Sequence, residues 1–118
     1  MDSILTSVKK KLGIAEDYTH FDDGDIIDHI NSVFMILNQL GVGPSIPFQL
    51  SDDATGEETW SDFTNDISLL ELVRPYVALR VRKAFDPPQS SAHMEALNSL
   101  ISEYEWRLNV AVDPQEDS

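Results

Sequence analysis

The side chains best placed to hold a cation in this sequence are Asp22, Asp23 and Asp25, gathered around Gly24, with Asp28 and His29 just beyond. Carboxylates around a glycine are how an EF-hand loop ligates calcium, so the register can be tested directly. With Gly24 at the sixth loop position, Thr19 falls first, Phe21 third and Ile30 twelfth. Those residues do not supply the ligand set, and the pattern fails. The same acids suit the start of a helix, where the macrodipole favours negative charge. Asp25 and His29, four apart, can share a helix face, but one such pair is short of a metal site. His20, His29 and His93 read most simply as surface residues. Glu103 and Glu105 are two apart and do not face each other on a helix. There is no Walker loop, HExxH pair, nucleophile elbow or dinucleotide fingerprint. The expectation is a protein without catalytic residues, metal or cofactor.

Charge and composition narrow the partners. The chain has 118 residues and a formal net charge of −13. Between positions 12 and 73 there is no Lys or Arg, while thirteen Asp and Glu occur. Such a surface repels free nucleic acid and anionic membrane. The length fits one domain with a modest core. Cysteine is absent, which removes disulfides and thiolate metal sites and suits a reducing compartment. No apolar run approaches the roughly 20 residues that span a bilayer, and no apolar stretch follows the lysines at 9–11 as in a signal peptide. A soluble, cytosolic protein is expected.

With no reaction to arrange, the elements are read for what they bury. The segment 66–88 is apolar around most of its circumference if helical. One stripe is Leu70, Val73, Val77, Val81 and Ala84; another is Leu69, Leu72, Tyr76 and Leu79. Spacings of three and four are helical, and two stripes mean burial on two sides. This predicts a central helix on which the others pack. It also carries Arg74, Arg80, Arg82 and Lys83. Pro75 lies inside the pattern, so the helix either starts there or is kinked there, and a kinked or two-part element is the preferred reading. The pair Pro87-Pro88, after Asp86, ends it.

Around it, the expected fold is all-α: a small bundle of about four helices, with an irregular loop and a possible short strand before the central helix. Asp2 or Ser3 caps a first helix with Ile4, Leu5, Val8 and Leu12 on one face, three lysines in its last turn, and Gly13 closing it. After a linker at 14–21, Asp22 or Asp23 caps a second, with Ile26, Ile30, Val33, Phe34, Leu37 and Leu40 apolar and Gly41 as its stop. Phe48 and Leu50 flank Gln49 in short alternation, the possible strand. Residues 51–58 are acidic and small, expected to be mobile. Thr59 to Asp62 resembles a capping box, and Trp60 and Phe63 read as core anchors. Ser90 or Ser91 caps a last helix whose seam is Met94, Leu97, Ile101, Tyr104 and Leu108. The domain thus runs over 1–112, with 113–118 a flexible acidic tail.

Several of these phrases carry a likeness. Asp28-His29-Ile30-Asn31-Ser32-Val33-Phe34, Leu40-Gly41-Val42-Gly43-Pro44, Trp60-Ser61-Asp62-Phe63, Phe85-Asp86-Pro87-Pro88 and Glu105-Trp106-Arg107-Leu108-Asn109-Val110, at this spacing, resemble the head–tail connector (adaptor) proteins of long-tailed bacteriophages. The resemblance implies a non-catalytic helical subunit of a ring, commonly of about a dozen copies. Such a ring docks beneath the portal protein, extends the DNA channel without sequence-specific binding, and presents a surface to a stopper or tail-completion protein. It would assemble in the host cytoplasm and reside in the virion neck. A heterologous ring needs two unlike complementary faces per subunit. Arg80, Arg82 and Lys83 on one side, and Asp22 and Asp25 on the other, are the candidates. The apolar surplus near the C-terminus, with Trp106 off the main seam, makes Trp106, Arg107, Val110 and Asp113 candidate portal contacts. The loop 42–59, with Val42, Phe48, Asp52 and Asp53, is placed against a neighbouring subunit or the next ring. The other class considered is a small acidic module, mimicking DNA, that occupies a basic site on a nucleic-acid enzyme. Ring formation and gene neighbourhood separate the two.

Overall fold

The computed structural model describes residues 3–13, 23–44, 48–50, 58–85 and 87–112, with backbone alone for 23–25 and 112. Five helices follow in order: α1 (Ile4–Leu12), α2 (Asp23–Gln39), the single turn α3 (Trp60–Phe63), α4 (Ile67–Phe85) and α5 (Ser91–Val112). The linker at 14–21, the Asp22 cap, the loop at 51–57, Asp86 and the tail at 113–118 lie outside the described residues.

α4 is the hub. It packs on α5, α2 and α1, whereas α1 and α2 touch each other only lightly. Val73, Tyr76, Val77 and Val81 are buried, with Leu69, Leu70, Leu72 and Leu79 partly buried against the core. The two stripes therefore serve two sides, as their spacing predicts. Ala84, placed on the first stripe, is exposed, because α4 is leaving the core there. From α2 come Ile26, Ile27, Ile30, Val33, Phe34 and Leu37; from α1, Ile4, Leu5 and Val8; from α5, Leu97, Ile101 and Leu108.

Pro75 neither starts α4 nor divides it into two elements. The helix begins eight residues earlier and runs through it. Asp66 sets the start: its Oδ1 accepts the Leu69 N–H at 3.1 Å and its carbonyl accepts the Leu70 N–H at 3.0 Å. Packing on three neighbours offsets the loss of the one N–H that proline cannot donate.

The caps explain the other boundaries. Ser3 accepts the Thr6 N–H at 3.1 Å to open α1, and Gly13 (φ 81°) closes it. Ser90 accepts the His93 N–H at 3.2 Å to open α5. The Asp62 carboxylate accepts the Thr59 N–H at 2.8 Å, the back-reaching half of the expected capping box. At the end of α2, Gly41 (φ 84°) donates to the Asn38 carbonyl at 3.0 Å and Val42 donates to the Leu37 carbonyl at 2.9 Å. This is a Schellman motif, and it swings Val42 into the core.

Phe48 to Leu50 forms no strand. Asn31 on α2 holds it instead: the Leu50 N–H donates to Asn31 Oδ1 at 2.7 Å, and Asn31 Nδ2 donates to the Leu50 carbonyl at 3.2 Å. One side-chain amide satisfies both backbone groups that a sheet partner would have taken. The only β pairing among the described residues is an isolated bridge between Ser3 and Thr59. Phe48 then stacks edge-on against Phe34 and Phe63, ring centroids 5.1 and 5.5 Å apart, with Trp60 behind Phe34.

Two substitutions check this architecture. Val77 is fully buried on α4, so Val77→Asp should cost several kcal/mol and unfold a marginal domain. A thermal melt followed by circular dichroism that matches the parent's would refute the hub. Gly43 (φ 90°) lies against Phe63, and an added Cβ would sit 2.5 Å from the ring. Gly43→Ala should therefore destabilise by about 1 kcal/mol or more, through both backbone strain and the clash. A denaturant midpoint within error of wild type would contradict that.

Candidate functional site

Of the residues that invited chemistry, the side chains of Asp22, Asp23 and Asp25 lie outside the described residues. Among the described residues no three His, Asp or Glu side chains gather as a metal site would require. Only backbone is described for Asp25, in the first turn of α2, and Asp22 is outside the described residues. His29, expected on the surface, is half-buried with its ring edge-on to Phe85, centroids 6.4 Å apart. It ties α2 to the end of α4. No helix among the described residues is long and apolar enough to cross a membrane.

One polar cluster crosses the hub. Tyr76 Oη donates to Glu105 Oε2 at 2.7 Å, and Arg80 Nε donates to Tyr76 Oη at 2.8 Å. Arg80 Nη2 also pairs with the same Glu105 oxygen. The Arg80 guanidinium sits 5.6 Å from the Tyr76 ring centroid, within cation–π range. Burial pushes the Tyr76 phenol up to about 12, helped by the Glu105 carboxylate that accepts its proton. For Glu105, partial burial works against the charge, but hydrogen bonds from Arg80 and Tyr76 outweigh it and hold the carboxyl below its usual value. This cluster locks α4 to α5 inside the subunit. Arg80, a candidate for a face between subunits, is thus already satisfied within its own chain.

The other basic residues of α4 border a groove. A cavity of about 410 Å³ opens between α1 and α4, lined by Ser7, Val8, Lys11, Trp60, Glu71, Arg74, Pro75 and Ala78. A second of about 260 Å³ continues toward α5 along Lys11, Pro75, Ala78, Leu79, Arg82, Leu100 and Tyr104. Lys11, Pro75 and Ala78 belong to both, so the two form one trough across α4. Its floor is apolar and its rim carries Lys11, Arg74 and Arg82, all exposed. In the wall at the α1 end, the Trp60 indole N–H is buried with no acceptor.

The remaining candidates separate clearly. Trp106 is 66% and Val110 50% exposed, one turn apart on α5. Arg107 pairs with Glu103 one turn earlier at 2.6 Å, on the exposed side of α5. Lys83 is exposed near the end of α4. Val42, placed on a contact loop by the sequence, is buried by the Schellman turn, so its side chain serves the subunit's own core. Phe48 is half-buried in the aromatic cluster. Asp52, Asp53 and Asp113 are outside the described residues.

Sequence reasoning passed over the Tyr76–Arg80–Glu105 cluster and the trough. The first had a signal. Glu105 lies four residues after Ile101 and three before Leu108, at the margin of the buried seam, where a carboxylate requires a partner. The trough had none, since it depends on how far α1 stands from α5 across α4.

Two measurements test the cluster. Tyr76 is fully buried, and Tyr76→Phe deletes one donor while keeping the ring. It should cost on the order of 1–2 kcal/mol in chemical unfolding. Glu105 has a depressed pKa, so its stabilising contribution is present above the ordinary carboxyl range and is lost as pH falls through the folded value. Stability should decline below roughly pH 4.5, and Glu105→Gln should lower stability at neutral pH while flattening that acid limb. A variant with an unchanged acid limb would show that Glu105 does not titrate in this way.

Comparison with known proteins adds the remaining information. Searches of curated proteins and of solved structures found no match. A family model described as phage connector protein matches residues 4–115. That span takes in α1 through α5, the hub with its polar lock, and the trough alike, and the chain belongs to the phage connector protein family.

Proposed function

We propose that this connector protein works as a ring subunit beneath the portal vertex, where it extends the DNA channel and joins the filled head to a stopper or tail-completion protein. The observation that carries the reading is the family match across all five helices. The surface is in keeping with it. A subunit of a closed heterologous ring needs two unlike faces, and this one offers a cation-rimmed trough and a separate ridge with Trp106 and Val110. The overall charge of −13 suits a channel through which DNA must slide, because a lumen rich in acid does not gather phosphates. The role is structural: the protein supplies a fixed geometry between two larger assemblies, and no step of bond chemistry is assigned to it.

Electron microscopy and native mass measurement of the purified protein mixed with its portal test the proposal. The expected result is closed rings stacked on portal particles, with a single dominant copy number. Absence of rings at high concentration, together with no association with portals, would overturn it.

A further inference from the structure

The trough and the exposed ridge of α5 are unlike surfaces on one chain, and their chemistries match. The trough's more open, more apolar part, toward α5, holds about 260 Å³, close to the volume of one large side chain, and it continues into the part of about 410 Å³ beside α1. The trough's apolar floor is Pro75, Ala78, Leu79, Leu100 and Tyr104, and its rim carries Lys11, Arg74 and Arg82 with the acid Glu71 beside them. The whole chain has only eight Lys and Arg against twenty-one Asp and Glu. Two of those cations, Arg80 and Arg107, are consumed by Glu105 and Glu103. Lys11, Arg74 and Arg82, by contrast, converge on one trough and make no ion pair among the described residues. Cations left unpaired in so acidic a chain mark where an acidic surface is received.

The ridge supplies the complement. Trp106 and Val110 stand one turn apart on α5, and Glu103, three residues before Trp106, is already paired with Arg107. At 3.6 residues per turn, Trp106 lies about 120° around α5 from Leu100, which lines the trough. The two surfaces therefore point different ways and cannot meet within one subunit. Beyond Val112 the sequence adds Asp113, Glu116 and Asp117.

We propose that the trough between α1, α4 and α5 receives the C-terminal end of α5 from a second copy of this chain, with Trp106 and Val110 on the Pro75–Leu79–Tyr104 floor and the acids that follow α5 in the sequence meeting Lys11, Arg74 and Arg82. The inference rests on the ring reading and gives it a contact. An indole laid on proline and tyrosine beneath an arginine buries a large apolar area and gains a cation–π interaction, the usual make-up of an interface hot spot. The sequence expectation had assigned Trp106 to the portal. A neighbouring copy fits better, because the trough that matches it is carried on the same chain.

The absence of cysteine makes the test direct. Ala78→Cys in the trough and Val110→Cys on the ridge are combined in one chain, assembled into rings, and treated with a short thiol cross-linker. The expected result is a ladder of covalent multimers, with each single-cysteine protein giving no ladder and an equimolar mixture of the two giving dimers. In parallel, Trp106→Ala and the double variant Arg74→Glu/Arg82→Glu change exposed residues only. Both should retain wild-type helicity and lose rings at concentrations where the parent is fully assembled. Rings formed normally by both variants, with no ladder, would overturn the trough contact while leaving the ring intact. If Trp106→Ala assembles rings but no longer binds portals, the occupant is the portal and the proposal is wrong. If the parent itself never forms rings, on or off portals, the ring reading falls and this contact with it.

Discussion

The burial of α4 against three other helices is the constraint on which the rest depends. A helix buried on two sides has little circumference left for charge, yet this one carries four basic residues and one acid. The structure resolves the conflict by position along the axis. Val73, Tyr76 and Val77 occupy the middle, where α1, α2 and α5 all approach. Arg74 and Arg82 point out along the strip that α1 and α5 leave uncovered, and Arg80 is neutralised in place by Glu105. The trough is therefore a consequence of the hub: a central helix that needs cations must leave somewhere for them to reach water.

Pro75 belongs to the same solution. In an isolated helix it would be a break costing on the order of 3 kcal/mol. Here it lies on the partly covered strip, lining both halves of the trough, where its ring adds rigid apolar floor. The helix start is delegated to Asp66, whose cap is independent of what happens two turns later. The polar lock acts at the other margin of α4. Because Tyr76, Arg80 and Glu105 satisfy one another, the α4–α5 contact contains no uncompensated charge, and α5 is fixed in rotation as well as in position. That rotation decides which face of α5 looks outward, and hence where Trp106 stands.

Much of this was legible in the amino-acid sequence, and the divisions are physical. Periodicity identified α1, α2, α4 and α5 and nearly all of their buried faces, since a 3.6-residue repeat needs only local information. Caps were legible where the capping residue is itself diagnostic, as with Ser3, Gly13, Gly41 and Ser90. The misreadings share one cause. Phe48 to Leu50 looked like a strand because alternation is local, but its backbone partner is the Asn31 side chain, nineteen positions away. Val42 looked like a loop contact because it sits between Gly41 and Gly43, yet the Schellman bond to Leu37 turns it inward. Pro75 looked like a boundary because its neighbours along the chain do not reveal how many helices support it. The interaction surface was the least legible part. Arg82 was picked for its charge, but its separation from Arg80, two residues away and internally paired, exists only in three dimensions.

The charge distribution links the fold to the role of a connector. Copies of a chain of net charge −13 repel one another at close approach, because a screening length of about 8 Å at physiological salt removes the repulsion at distance but not at contact. Association must then come from short-range complementarity strong enough to overcome it: apolar area for the driving force and a few well-placed cations to reverse the local sign. Concentrating Lys11, Arg74 and Arg82 along one strip meets both needs while keeping the rest of the surface acidic. The same arrangement is selective. In the proposed contact, a patch attractive only where an acidic, aromatic-bearing ridge enters an apolar trough would discriminate against nucleic acid, which carries the charge but not the side chain that fits the floor. Under the proposed ring reading the subunit has to bind its neighbours in the presence of DNA, and a small basic strip set in a large acidic surface suits that with only eight Lys and Arg in the chain.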